Sequence, residues 1–210
     1  MDKRVIFAVA GAGKTTHIID SLSLEKRALI VTYTENNYHH LRQRIINKFG
    51  VIPDNIAVFT YFTFLYRFCY KPFLYDRVKA KGINWDMPHP NTLKLARSTK
   101  EFYKDVYGRL YHNRIAKLIE QQRVIELVNQ RIYKYFDHFY VDEVQDFGGH
   151  DFNLLIALCQ AQIDMTFVGD FYQHTFDTSK DGKLNSGLYK DFGKYKKVLQ
   201  KAGLEVDATS

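Results

Sequence analysis

The chain has 210 residues, 46% hydrophobic and 25% charged, a composition that suits one large globular domain or one domain with an insertion and excludes a disordered chain. No apolar run approaches the roughly 18–20 residues that span a bilayer, and the opening stretch MDKRVIFAVAGAG passes from a short apolar segment straight into a glycine loop, so it reads as a buried strand and not as a signal peptide. The net charge of +7 is uneven: residues 67–135 hold 15 Lys and Arg against 6 Asp and Glu, or +9, which leaves 7 − 9 = −2 elsewhere and suits either a polyanionic partner or a solvated helical face.

In chain order, residues 4–9 form a continuous β-prone run, followed by the glycine loop and a helix beginning at Lys14. A second apolar run covers 28–34. Residues 35–49 have helical spacing, with Tyr38, Leu41, Ile45 and Phe49 near one face and Gly50 as the stop. A third strand is expected at 56–61, then a short helix that Pro72 ends or just follows. Residues 71–98 lack periodicity and hold Pro72, Gly82, Pro88 and Pro90, which predicts a loop-rich stretch. Two helical pieces are expected around Glu101–Leu110 and Asn113–Gln130. Strands follow at 138–143 and 164–170, with a helix at 151–160 between them and a last helix stopping at Gly203. Cys69 and Cys159 lie far apart in apolar contexts without metal-type spacing, as reduced core thiols in a cytoplasmic protein would.

Short apolar strands alternating with helices predict an α/β fold with a parallel sheet covered by helices on both faces. Chemistry-bearing residues fall at the C-terminal ends of three of these strands, the edge at which ligands bind in open α/β sheets, so groups over a hundred residues apart are expected to converge. The first is AVAGAGKT (8–15), a phosphate-loop pattern with Ala8 at its first position. Ala10, Gly11, Ala12 and Gly13 let successive backbone N–H groups face an anion. The helix that follows points its positive end at the same place, Lys14 reaches the outer phosphates, and Thr15 offers a hydroxyl to Mg²⁺, with Thr16 beside it. The second is YVDEVQD (140–146), in which Asp142 would hold Mg²⁺ and Glu143 would activate water as general base. The third is VGDFYQHTF (168–176), where Gln173 can donate and accept near a terminal phosphate.

In this order the three stretches resemble motifs I, II and III of superfamily 1 DNA helicases of the UvrD/Rep/PcrA type. IVTYTENNYHHLRQRI (30–45) and FTYFTFLYRF (59–68) resemble two further motifs of that family. The resemblance covers nearly all of 4–61 and 138–176. It implies a RecA-like ATP-binding domain over 1–69 and 136–210, with a small, mainly helical, basic accessory subdomain inserted at 70–135. It also implies ATP and Mg²⁺ as cofactors, Lys14, Glu143 and Gln173 as the catalytic group, and Thr15 and Asp142 as the metal ligands. Tyr33, Thr60, Tyr61 and Phe176 would line a track for single-stranded DNA. Phe62 stands where the family commonly has histidine, and no glutamine motif precedes the first strand, so recognition of the adenine base is left without residues. The family's second RecA-like domain, with its arginine fingers, would have to follow Ser210 in a longer parent protein. For the chain alone the expectation is nucleotide binding with slow hydrolysis at most. Two other readings stay open at this point: a different P-loop enzyme such as a small-molecule kinase, and a nucleotide-binding interaction module without turnover.

Overall fold

A computed structural model describes residues 1–9, 11–173, 184–185 and 187–208. The strands are β1 (Lys3–Phe7), β2 (Ala28–Thr32), β3 (Ile56–Thr60), β4 (Gly82–Asn84), β5 (Arg109–Tyr111), β6 (His138–Asp142), β7 (Asp164–Gly169) and β8 (Glu205–Asp207). The helices are α1 (Lys14–Ser21), α2 (Glu35–Phe49), α3 (Tyr61–Thr63), α4 (Lys71–Val78), α5 (Lys100–Tyr103), α6 (Ile115–Gln121), α7 (Ile125–Tyr135), α8 (Gly149–Leu158) and α9 (Phe192–Lys201). Six strands form one sheet in the order β3-β2-β6-β7-β1-β8, and every pairing within it is parallel. The fold is therefore α/β.

The alternation of side chains along each strand explains why the runs are apolar throughout. In β2, Ala28 and Ile30 pack beneath α1 and α2 with Ile18, Ile19, Leu41 and Ile45. Leu29 and Val31 point the other way, into a larger core with Phe139, Val141, Met165 and Phe167. Each fully buried side chain of this size contributes about 1.5–3 kcal/mol, so both faces must be covered for the sheet to persist. Helix α2 matches its expected bounds. The Thr34 hydroxyl accepts from the Asn37 amide at 3.2 Å at its start, and Gly50 closes its end.

The segment between β3 and β6 differs most from expectation. Pro72 does not end a helix. The chain runs from α3 through a π-helical stretch (Phe64–Tyr70) into α4, and Pro72 is the second residue of α4. The helix expected around Glu101–Leu110 is only the single turn α5. A turn follows it, and the expected helix ends in β5, which pairs in parallel with β4 in a separate two-stranded sheet. The helix expected over Asn113–Gln130 is broken into α6 and α7, with Arg123 between them in the left-handed region at φ 56°. Helices α6 and α7 pack on α8, and Ile115, Leu118, Ile119, Val128 and Ile132 join the same core as the sheet.

The basic character of this segment is partly internal. Arg114 is 1% exposed, donates to the Phe102 carbonyl at 2.6 Å and the Thr92 hydroxyl at 2.9 Å, and lies 4.0 Å over the Phe102 ring. Lys117 is also buried. Cys69 and Cys159 are free and buried, and burial pushes both thiols up, Cys159 to about 12. Among the described residues no helix is long and apolar enough to cross a membrane.

Candidate functional site

The site is built at the C-terminal edge of the sheet. Strand β7 lies between β1 and β6, so the loops leaving those two strands are two strand spacings apart, about 9–10 Å. The parallel register brings the ends of β1 and β6 to the same rim as the end of β7.

After β1, the Ala8 amide still donates to the Gly169 carbonyl at 3.1 Å, and the chain then curls away. Gly11 and Gly13 adopt φ 82° and 83°, a region costly for any residue with a Cβ. Helix α1 starts on Gly13 with no side-chain cap, which leaves its first amides to a ligand or water. The Lys14 ammonium donates to the carbonyls of Ala8 (2.8 Å) and Val9 (3.0 Å), so its charge is held over the loop. Ala10 lies outside the described residues, and Ala12 is exposed at the loop's outer face.

The second wall follows β6. Asp142 is 2% exposed, and its Oδ1 has no hydrogen-bond partner. Burial and then the adjacent Glu143 charge raise its pKa to about 7, against the opposing pull of Lys14. Glu143 itself is held at φ 57°, a left-handed conformation rare for a residue with a side chain, and strain of this kind gathers at functional sites. Asp146 is likewise buried, with an unpartnered Oδ1 and a pKa raised to about 6 by burial and by Glu143.

One open cleft is lined by Gly11, Gly13, Lys14, Thr15, Thr16, Arg44, Glu143 and Gln173. Seven of these were expected from sequence to share a site, and the fold brings them together. Arg44 was not expected. It stands on α2 next to Ile45, at the border of that helix's buried stripe, and its Nη2 donates to the Thr16 hydroxyl at 2.8 Å. The helical spacing that buries Leu41 and Ile45 was the only signal pointing it toward α1.

Sequence reasoning also assigned no role to Gln145, which is 3% exposed. Its Nε2 donates to Glu143 Oε2 at 2.7 Å, and its Oε1 accepts from the Asp170 amide at 2.9 Å. The carboxylate of Glu143 is thereby tied to the end of β7. A Cβ on Gly169 would come within 2.3 Å of Gln145 Oε1 and 2.8 Å of Val144 Cγ1, so this contact requires glycine there.

No group of three or more His, Cys, Asp or Glu among the described residues could hold an ion alone. Asp142 nevertheless presents a buried carboxylate oxygen that nothing satisfies, with the Thr15 hydroxyl in the neighbouring cleft. Mg²⁺ commonly takes one or two protein oxygens and completes its shell with phosphate and water.

The residues expected to line a nucleic-acid track are placed unevenly. Tyr33 is half-buried, stacked on Tyr61 at 5.9 Å and met edge-on by Phe62 at 5.6 Å. Thr60 is largely buried but borders an open cavity with Glu35, Tyr38, Thr63 and Arg67. Tyr61 is a correction: it is 2% exposed, and its hydroxyl donates to Asp151 Oδ1 at 3.0 Å, so it packs the core and offers no face to a base. Phe176 lies outside the described residues. Beside Phe62 lies Trp85, 60% exposed, held 5.1 Å edge-on to Phe62 and stacked on His112 at 5.7 Å. Burial lowers the His112 pKa, which favours the neutral ring in that stack.

No protein-family model matches the chain, and no curated protein is similar to it at a significant level.

Proposed function

We propose that this chain is a RecA-like, P-loop ATP-binding domain of the UvrD-like helicase type, which binds ATP·Mg²⁺ and uses its hydrolysis in work on single-stranded nucleic acid, DNA by the resemblance. The reading is carried by one observation: Lys14 and Glu143, far apart in the chain, line a single cleft with the glycine loop and Gln173. The uncapped α1 terminus and Lys14 receive the phosphates, with Arg44 adding positive charge. Thr15 and Asp142 would hold Mg²⁺, which would supply charge neutralisation at the phosphates. Glu143, oriented by Gln145, takes the proton of the attacking water, and Gln173 lies where a terminal phosphate is felt.

Calorimetry with ATP and Mg²⁺ tests the nucleotide half. Wild type should bind, and Lys14→Ala should weaken binding about 10- to 100-fold, the worth of lost charge-assisted hydrogen bonds. Equal affinity in the two proteins would remove the phosphate site. The nucleic-acid half has an optical test, because Trp85 is the single tryptophan of the chain. Oligo-dT should quench its emission, and a high-salt wash should restore it, since phosphate contacts are screened by salt. Unchanged emission at saturating oligonucleotide would exclude this edge as the track.

A further inference from the structure

A nucleotide seated by its phosphates must also place its base, and the sequence offers no motif for it. A second cavity adjoins the same loops. It is lined by Ala8, Val9, Asp170, Phe171, Tyr172 and Phe192, among others. Each of the two loops contributes to both cavities. The phosphate loop gives Ala8 and Val9 to this one and Gly11, Gly13, Lys14, Thr15 and Thr16 to the other; the turn after β7 gives Tyr172 to this one and Gln173 to the other. The two spaces therefore share the walls formed by these two loops, the cleft carrying Glu143 from the end of β6 and the second cavity Ala208 from the end of β8.

The second cavity is preformed. Phe171 is buried, meeting Phe192 at 4.9 Å and Phe7 at 6.5 Å, both edge-on. Tyr172 stands against Phe171 at 5.5 Å and 85°, yet is 86% exposed, so its ring has a free face. Its amide donates to Asp170 Oδ1 at 3.1 Å, which sets the turn. An exposed aromatic ring beside a largely apolar cavity, one residue from the cleft, has the properties of a base-stacking face.

We propose that this cavity seats the purine base of the nucleoside triphosphate, with Tyr172 as its stacking face. The inference rests on the nucleotide reading of the adjoining cleft. The test compares ATP, CTP and inorganic tripolyphosphate, each with Mg²⁺, by calorimetry on the whole chain. ATP should bind more tightly than CTP, and both more tightly than tripolyphosphate. Tyr172→Ala should lose about 5- to 100-fold in ATP affinity with tripolyphosphate unchanged, and Tyr172→Phe should retain it. Equal affinity for ATP and tripolyphosphate in wild type, for ATP and CTP, or for ATP in wild type and Tyr172→Ala overturns the base pocket and leaves the phosphate cleft standing. Failure of all three ligands to bind wild type removes the cleft, and the pocket with it. An equal loss for ATP and tripolyphosphate in Tyr172→Ala also overturns the pocket, since the effect would then lie at the phosphates.

Discussion

Glu143→Gln should abolish phosphate release while leaving nucleotide binding within a few-fold of wild type. Glutamine keeps the shape and the hydrogen-bonding reach of Glu143 but cannot take a proton, and a lost general base costs about 10²–10⁴ in rate. Gln145 makes this substitution unusually informative. Its Nε2 already donates to Glu143 Oε2 and its Oε1 is engaged by the Asp170 amide, so the position of the side chain at 143 is dictated by β7 as well as β6. A carboxamide there can still accept from Gln145 through its own oxygen, and the loop should keep its form. Multiple-turnover phosphate release at saturating ATP, followed over hours if wild type is slow, gives the comparison. Equal release rates in the two proteins would end the assignment of Glu143 as the base, whatever the affinity for ATP.

The second large effect concerns Asp142, where stability and binding should move in opposite directions. The sign follows from its raised pKa. An aspartate in the unfolded chain ionises near 3.9, whereas in the fold the side chain holds its proton up to about 7. Its contribution to stability is therefore complete below about pH 4 and is lost as pH rises to about 7; above that a buried carboxylate with an unsatisfied oxygen burdens the fold. Asp142→Asn removes the charge, so at pH 8 the ligand-free variant should be more stable by about 2–4 kcal/mol. That corresponds to a rise in melting temperature on the order of 10 °C for a chain of this length. The same variant should lose the further stabilisation that Mg²⁺ and ATP together confer on wild type. In wild type that increment should grow from pH 6 to pH 8, because protons and metal compete for one carboxylate. Thermal melts with and without Mg²⁺ and ATP decide the matter: a ligand-free Asp142→Asn less stable than wild type at pH 8 would show that the buried carboxylate is satisfied by some other means.

Both effects depend on residues whose types were legible in the sequence and whose environments were not. The strand and helix alternation of 3–60 and 138–169 could be read directly, because a sheet buried on both faces demands continuous apolar runs and the turns at its C-terminal rim demand glycine or short polar residues. The motif at 8–15 and the acids at 142–143 declared themselves by type and spacing. Residues 61–135 could not be read in the same way. Whether a chain passes Pro72 as helix, or whether Arg109–Tyr111 becomes strand, is decided by packing of the π-helical stretch on α6 and by pairing with β4, both of them long-range contacts.

The amino-acid sequence by itself determined the α/β class, the phosphate-loop pattern and the presence of two acids at a strand end, since these follow from local periodicity and residue chemistry. Only the tertiary structure decided that β7 separates the two loops, that Arg44 and Gln145 join the site, that Tyr61 belongs to the core, and that Asp142 is buried enough to shift its proton equilibrium. Each of those depends on distances between residues far apart in the chain, and hydrogen bonds, burial and charge coupling act through distance in space rather than along the backbone.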